Sequence, residues 1–106
     1  MVKIVTFVPL AEAEAVRGAI AAAGGGRIGE YAACSFTTVG EGRFMPSAVA
    51  NPYVGEPGRL EVVQEARIEF VCLRSDAKVI VSALKAAHPY EEVALDIFPL
   101  LSEDEL

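Results

Sequence analysis

Apolar positions in this chain fall into short strand-like runs separated by two stretches of helical spacing. Residues 2–9, VKIVTFVP, are rich in β-branched and aromatic side chains and end at a proline, which predicts a strand. Residues 11–23, AEAEAVRGAIAAA, are strong helix formers with Val16, Ile20 and Ala23 on one face, and Gly24, Gly25 and Gly26 stop the helix. Residues 30–38, EYAACSFTT, predict a second strand, and residues 60–73, LEVVQEARIEFVCL, contain a third. Its end alternates Ile68, Phe70 and Cys72 with Arg67, Glu69 and Val71. Ser75 is the expected N-cap of a helix over 76–87, whose face carries Val79, Ile80, Leu84 and Ala87 and which Pro89 ends. Residues 92–98 predict a last strand, closed by Pro99.

The order is βαββαβ, so the expected fold is α+β and ferredoxin-like: a four-stranded antiparallel sheet with two helices on one face. The two halves echo each other weakly, AIAAAGGGRIGEYAACSF against ALKAAHPYEEVALDIF. Residues 39–58 do not fit a minimal version of the fold. They hold four glycines and three prolines, Pro46, Pro52 and Pro57, which predicts an extended loop that either covers a neighbouring surface or binds a partner. Val5, Phe7, Val71, Leu73, Phe98 and Leu100, or their neighbours of opposite parity, are expected on the sheet face away from the helices. Both parities of the outer strands are mostly apolar, and an uncovered apolar face predicts a homo-oligomer.

Composition narrows the class. A chain of 106 residues, 53% hydrophobic and 23% charged, fits one globular domain, 1–106, with an acidic tail at 101–106. A net charge of -6, from 15 acidic and 9 basic residues, disfavours nucleic acid and an anionic membrane surface. Cys34 and Cys72 form no CxxC pair and are expected to be buried free thiols. The first strand is too short to span a membrane and lacks the marks of a signal peptide, so a cytoplasmic protein is expected and the terminal EDEL carries no weight as a retrieval signal.

Four motifs in order, GRIGEYAACSF, GEGRF-P, ANPYVGEPG and HPYEEVALDIFPL, give the chain a resemblance from about Lys3 to Leu100. It looks like the insert domain of the Nif-three-like proteins, the YqfO group, a domain similar in fold to the PII signalling proteins and to CutA. The resemblance implies a free-standing copy of an accessory domain. The parent proteins' metal ligands would lie in flanking portions outside these motifs. PII and CutA proteins are usually trimeric, so the resemblance favours a trimer. The chain departs from the pattern at Val93 and Leu95, where proline and tyrosine are expected, so any role of that tyrosine does not carry over.

The candidate chemistry is sparse. His88 is the only histidine, and with Glu91 it offers at most two nearby metal ligands, to be completed if at all across a subunit boundary. Its alternative role is at the end of a helix, where Tyr90 would pack on the sheet edge. Glu91 and Glu92 are adjacent, and on a strand they would point to opposite faces, poor geometry for shared acid–base work. GGGRIGEY follows a helix rather than opening one, so it is not a phosphate loop, although Arg27 could reach an anion. Cys34 and Ser35 have no identifiable base and orienting group. The expectation is therefore a small oligomeric regulatory or interaction module, not itself catalytic and without a cofactor. It would bind a partner protein or small ligand through Arg43 and Phe44 at the loop base and through His88, Tyr90, Glu91 and Glu92. The alternative is a divalent-metal-binding protein in the manner of CutA, using His88 and carboxylates.

Overall fold

A computed structural model describes residues 1–106. Strand β1 spans Val2–Pro9, helix α1 Ala13–Ala22, β2 Phe36–Phe44, β3 Glu61–Cys72, helix α2 Arg74–Ala87 and β4 Leu95–Pro99. The strands form one antiparallel sheet in the order β2-β3-β1-β4, the βαββαβ arrangement expected from the pattern. The register opposes Ile4 to Phe70, Thr6 to Ile68 and Val8 to Ala66, so even-numbered residues of β1 and β3 share one face. That face meets Val16 and Ile20 of α1 and Ile80 and Leu84 of α2 in a single core cluster. Ile4, Val8, Val16, Ile68, Ile80 and Leu84 are fully buried, each contributing about 1.5–3 kcal/mol of transfer free energy. Thr6 sits among them and donates its hydroxyl to the Ala94 carbonyl at 3.0 Å, which offsets its desolvation.

The glycine stop behaves as expected. Gly24 takes a positive φ of 98°, and Gly25 N–H returns to the Ile20 carbonyl at 2.9 Å. Gly26, also at positive φ, donates to Val71 and accepts from Cys34, both at 2.8 Å, so it ties the end of α1 to β3. Three elements differ from expectation in their bounds. The second strand starts at Phe36, not residue 30, and runs on through Gly40 and Gly42 to Phe44, deep into the span expected to be loop. Backbone pairing with β3, from Phe36↔Glu69 to Phe44↔Glu61, overrides the low strand propensity of glycine. Residues 28–35 instead form a tight excursion, in which Ile28 and Tyr31 exchange two 2.9 Å backbone bonds and Ala33 has a φ of 58°. Cys34 there is only half-buried, whereas Cys72 is buried as expected and its thiol is pushed up by desolvation and then by Asp76.

Ser75 does not cap α2. The helix starts at Arg74 directly after Leu73, with no side-chain cap, and the Asp76 N–H bonds to the Leu73 carbonyl at 3.0 Å. The last strand begins at Leu95, not residue 92, leaving Glu91 and Glu92 in a bend rather than on opposite faces of a strand. The acidic tail closes on itself in a short turn over Glu103–Glu105 with a Ser102–Glu105 capping box.

The face away from the helices is mixed rather than bare. Val5, Phe7, Val71 and Phe98 lie on it as expected, but Lys3, Arg67, Glu69 and Asp96 alternate with them through the register. Glu69 is shared between Lys3 at 3.7 Å and Arg67 at 3.3 Å, and the Arg67 guanidinium lies 5.8 Å over the Phe7 ring. Leu73 and Leu100 lie outside the strands and are exposed. No helix is long and apolar enough to cross a membrane.

Candidate ligand-binding groove

At one end the sheet continues past the reach of its edge strand β4. β4 pairs with β1 only as far as Thr6↔Leu95, while β3 follows β1 to Pro9, and the β2–β3 hairpin extends further still. At that end the chain leaves α2 and turns back toward β4 through His88, Pro89 and Tyr90. His88 is buried. Its Nε2 lies 2.6 Å from the Phe7 carbonyl, just past the last β1–β4 pair, and its Nδ1 accepts the Tyr90 N–H at 3.2 Å. The geometry fits the tautomer with hydrogen on Nε2, so both ring nitrogens are engaged with backbone and neither offers a lone pair to a metal or a reactant. No group of three or more His, Cys, Asp and Glu side chains within the chain is placed to hold a metal ion.

Tyr90 is the pivot of the site. Its hydroxyl donates to Glu65 Oε2 at 2.9 Å, and its ring stands 5.1 Å from His88, 5.9 Å from Phe44 and 6.3 Å from Tyr53, tilted against each. Burial, reinforced by the Glu65 carboxylate, pushes the Tyr90 phenol well above its ordinary value. Glu65 lies on β3 opposite both Pro9 and Gly40, and is only 8% exposed. Its carboxylate occupies the space over Gly42, where any β-carbon would overlap it. Glycine at 42 is thus favoured by the close approach of the Glu65 carboxylate, not by backbone angle.

The loop between β2 and β3 folds back over this surface. Its neck is closed by the Gly58 N–H on the Pro46 carbonyl at 2.7 Å. Two ties reach the body: the Asn51 N–H to Glu91 Oε1 at 2.9 Å and the Tyr53 hydroxyl to Glu12 Oε1 at 2.7 Å. The Glu12 bond, followed by its charge, raises the Tyr53 phenol. The loop, the hairpin and the HPYEE turn enclose a groove of about 770 Å³. That volume is in the range of small-molecule sites.

Five of the expected site residues, Arg43, Phe44, Tyr90, Glu91 and Glu92, line this groove. His88 supports it from beneath through Tyr90. Arg27 does not take part: it follows Gly26, whose bond to Val71 places it at the opposite end of the sheet, where it is exposed. Sequence reasoning missed Glu65, Tyr53 and Glu12. Tyr53 belongs to the ANPYVGEPG motif and could have been singled out there. Glu65 carries no local signal, because its burial depends on β2 crossing it with a glycine.

No family model matches the chain. It is 46% identical over 98 residues to the GTP cyclohydrolase 1 type 2 homolog of Bacillus subtilis, covering 92% of this chain and 26% of that protein. With the homolog from Halalkalibacterium halodurans it shares 42% identity over 103 residues, 97% of this chain and 28% of the other. The chain thus spans about a quarter of the length of the curated relatives it matches. A solved structure of a Bacillus cereus protein related to NIF3 superposes with a TM-score of 0.81 at 44% identity, over 93% of this chain and 25% of that one. The Archaeoglobus fulgidus CutA, described as a periplasmic divalent cation tolerance protein, superposes over 100% of this chain and 92% of its own with a TM-score of 0.68. At 17% identity that likeness is one of fold. The expected kinship with the Nif-three-like group and with the CutA fold is borne out over nearly the whole chain.

Proposed function

We propose, from kinship with a quarter-length segment of the GTP cyclohydrolase 1 type 2 homologs, that this chain is a homo-oligomeric binding module whose ligand site is the groove under the β2–β3 loop. The observation that carries this reading is the construction of the groove. A loop rich in glycine and proline would be free to wave in solvent, yet here it is tied to Glu12 and Glu91 and roofs a cavity with aromatic walls. Function concentrates in loops held by a rigid scaffold. Catalysis has little support, because the single imidazole is committed to the Phe7 carbonyl and the Tyr90 N–H. A divalent-metal role, suggested by the CutA name, would rest on Glu91 with a neighbouring subunit's groups rather than on His88.

The test is a titration followed by backbone amide NMR shifts, using nucleotides, amines and zinc or copper ions in turn. A groove ligand moves the amides of Arg43, Phe44, Tyr53 and Tyr90 together and saturably. A library in which every hit moves only amides elsewhere, such as those near Arg27, removes the groove from consideration. Shifts confined to Glu91 and Glu92 with zinc, lost on chelation, would instead favour the metal role.

A further inference from the structure

Charge in the groove is unevenly compensated. Both guanidiniums on its wall are engaged within the protein: Arg43 with Glu41 at 2.6 Å, and Arg67 with Glu69 at 3.3 Å. Glu65, Glu91 and Glu92, on the same wall, have no cationic partner in the chain. Glu65 is the decisive one. It is more than nine-tenths buried and lines the groove; its Oε2 takes the Tyr90 hydroxyl, and its Oε1, beside Gly42, takes no hydrogen bond from the chain. A largely buried carboxylate with one free oxygen and no counter-charge gains from a cationic partner. Glu12, which holds Tyr53, leaves its Oε2 buried and unpartnered.

Around these carboxylates the walls are aromatic. Phe44, Tyr53 and Tyr90 stand with centroids 5.9 and 6.3 Å apart at tilts of 59° and 54°, an open-sided box rather than a packed stack. Ring faces with a carboxylate at hand attract cations. The groove already demonstrates that preference with a group of its own, since the Arg67 guanidinium lies over Phe7.

We infer that the groove takes a small organic cation, an ammonium or guanidinium group on an aliphatic body, with the charged head donating to Glu65 Oε1 and the body lying along Phe44, Tyr53 and Tyr90. The inference rests on the groove being the ligand site and adds the chemical class of the ligand. A bare metal ion is a poor match, because no three ligating side chains converge and the rings offer it nothing. An anion is a poor match too, because both wall arginines are already paired and three carboxylates are not.

The experiment uses the full chain at physiological ionic strength, with spermidine, agmatine and tetramethylammonium as probes. A neutral diol and citrate serve as controls. Melting temperature and amide shifts are both recorded. At least one cationic probe is expected to raise Tm saturably, by about 5 °C or more at hundredfold excess over Kd, with shifts at Phe44, Tyr53 and Tyr90. Glu65→Gln keeps an acceptor for the Tyr90 hydroxyl while removing the charge, and should weaken that binding about tenfold to a hundredfold. Tyr53→Leu, at an exposed position, should weaken it without endangering the fold. The inference is overturned if no cationic probe binds, or if one binds equally well to Glu65→Gln and Tyr53→Leu. Groove shifts produced by the diol or by citrate, and not by the cations, would leave the groove as a ligand site while sinking the cationic assignment. Cation-induced shifts confined to residues outside the groove would sink both.

Discussion

Two phenols are held by two carboxylates, and that pairing has a definite consequence in alkali. Tyr90 donates to a buried Glu65 and Tyr53 to Glu12, and both phenols are raised above their ordinary value of 10.0. Above about pH 10 the unfolded chain releases these protons while the folded chain retains them, so the native state binds more protons and stability falls as pH rises. Below that pH the contribution is fully present. Urea unfolding at pH 8, 10 and 11 should therefore show a level midpoint followed by a decline. The decline should be shallower in Tyr90→Phe, and an identical decline in that variant would show that Tyr90 is not its source. His88 makes a different point at the same scale. A residue suggestive of a metal or catalytic group acts as hydrogen-bond filler for the Phe7 carbonyl, which β4 does not reach. Nothing in HPYEE alone distinguishes the two roles, since the deciding partner lies 81 residues away.

At the level of elements, the legible parts were those with a strong period. β1, both helices and the latter half of β3 carry apolar alternation or a helical stripe, and each stands where the pattern put it. β2 was misread at both ends, because AAC looks strand-like by composition and GEG looks like a turn. Only the ladder with β3 decides which of them pairs. The glycines themselves divide by what surrounds them. A β-carbon at Gly26 would strike the backbone of Cys34, at a positive φ, whereas one at Gly42 would strike only the movable end of Glu65. Gly26→Ala should therefore cost about 2 kcal/mol or more of unfolding free energy. Gly42→Ala should cost nearer 1 kcal/mol, mainly through loss of the Tyr90–Glu65 bond. Equal losses in urea titrations would contradict this division. The groove was half legible: its aromatic and acidic rim follows from GEGRF and HPYEE, but Glu65, its buried floor charge, did not.

For the whole molecule, the apolar surface still asks for company, though for a different reason than an uncovered sheet face. That face carries its own ion pairs, Lys3–Glu69 and Arg67–Glu69. Among the apolar side chains left in solvent, Ile97, Phe98 and Leu101 follow one another along the edge strand β4 and just beyond it, with unpaired backbone on the strand's outer side. An exposed edge of that composition is a site for association. Light scattering at micromolar concentration is expected to give a multiple of the chain mass. Ile97→Lys should shift it toward the monomer. A wild-type monomer would remove the oligomer and any site that depends on a neighbouring subunit.

The walls of the groove come from four separate stretches of chain: Phe7 on β1, the β2 arm with its loop, Glu65 and Arg67 on β3, and the turn from Tyr90 to Ala94. The outer end of the β2–β3 hairpin, Gly40–Phe44 against Glu61–Glu65, contributes no residue to the core cluster, in a body 48 Å long and only 23 Å thick. Its amides are the natural candidates for early opening and fast hydrogen exchange. Whatever enters the groove would act as a removable staple, added to the Asn51–Glu91 and Tyr53–Glu12 ties between the arm and the body. Occupancy would be legible at a distance, as a change in how often the arm lets go.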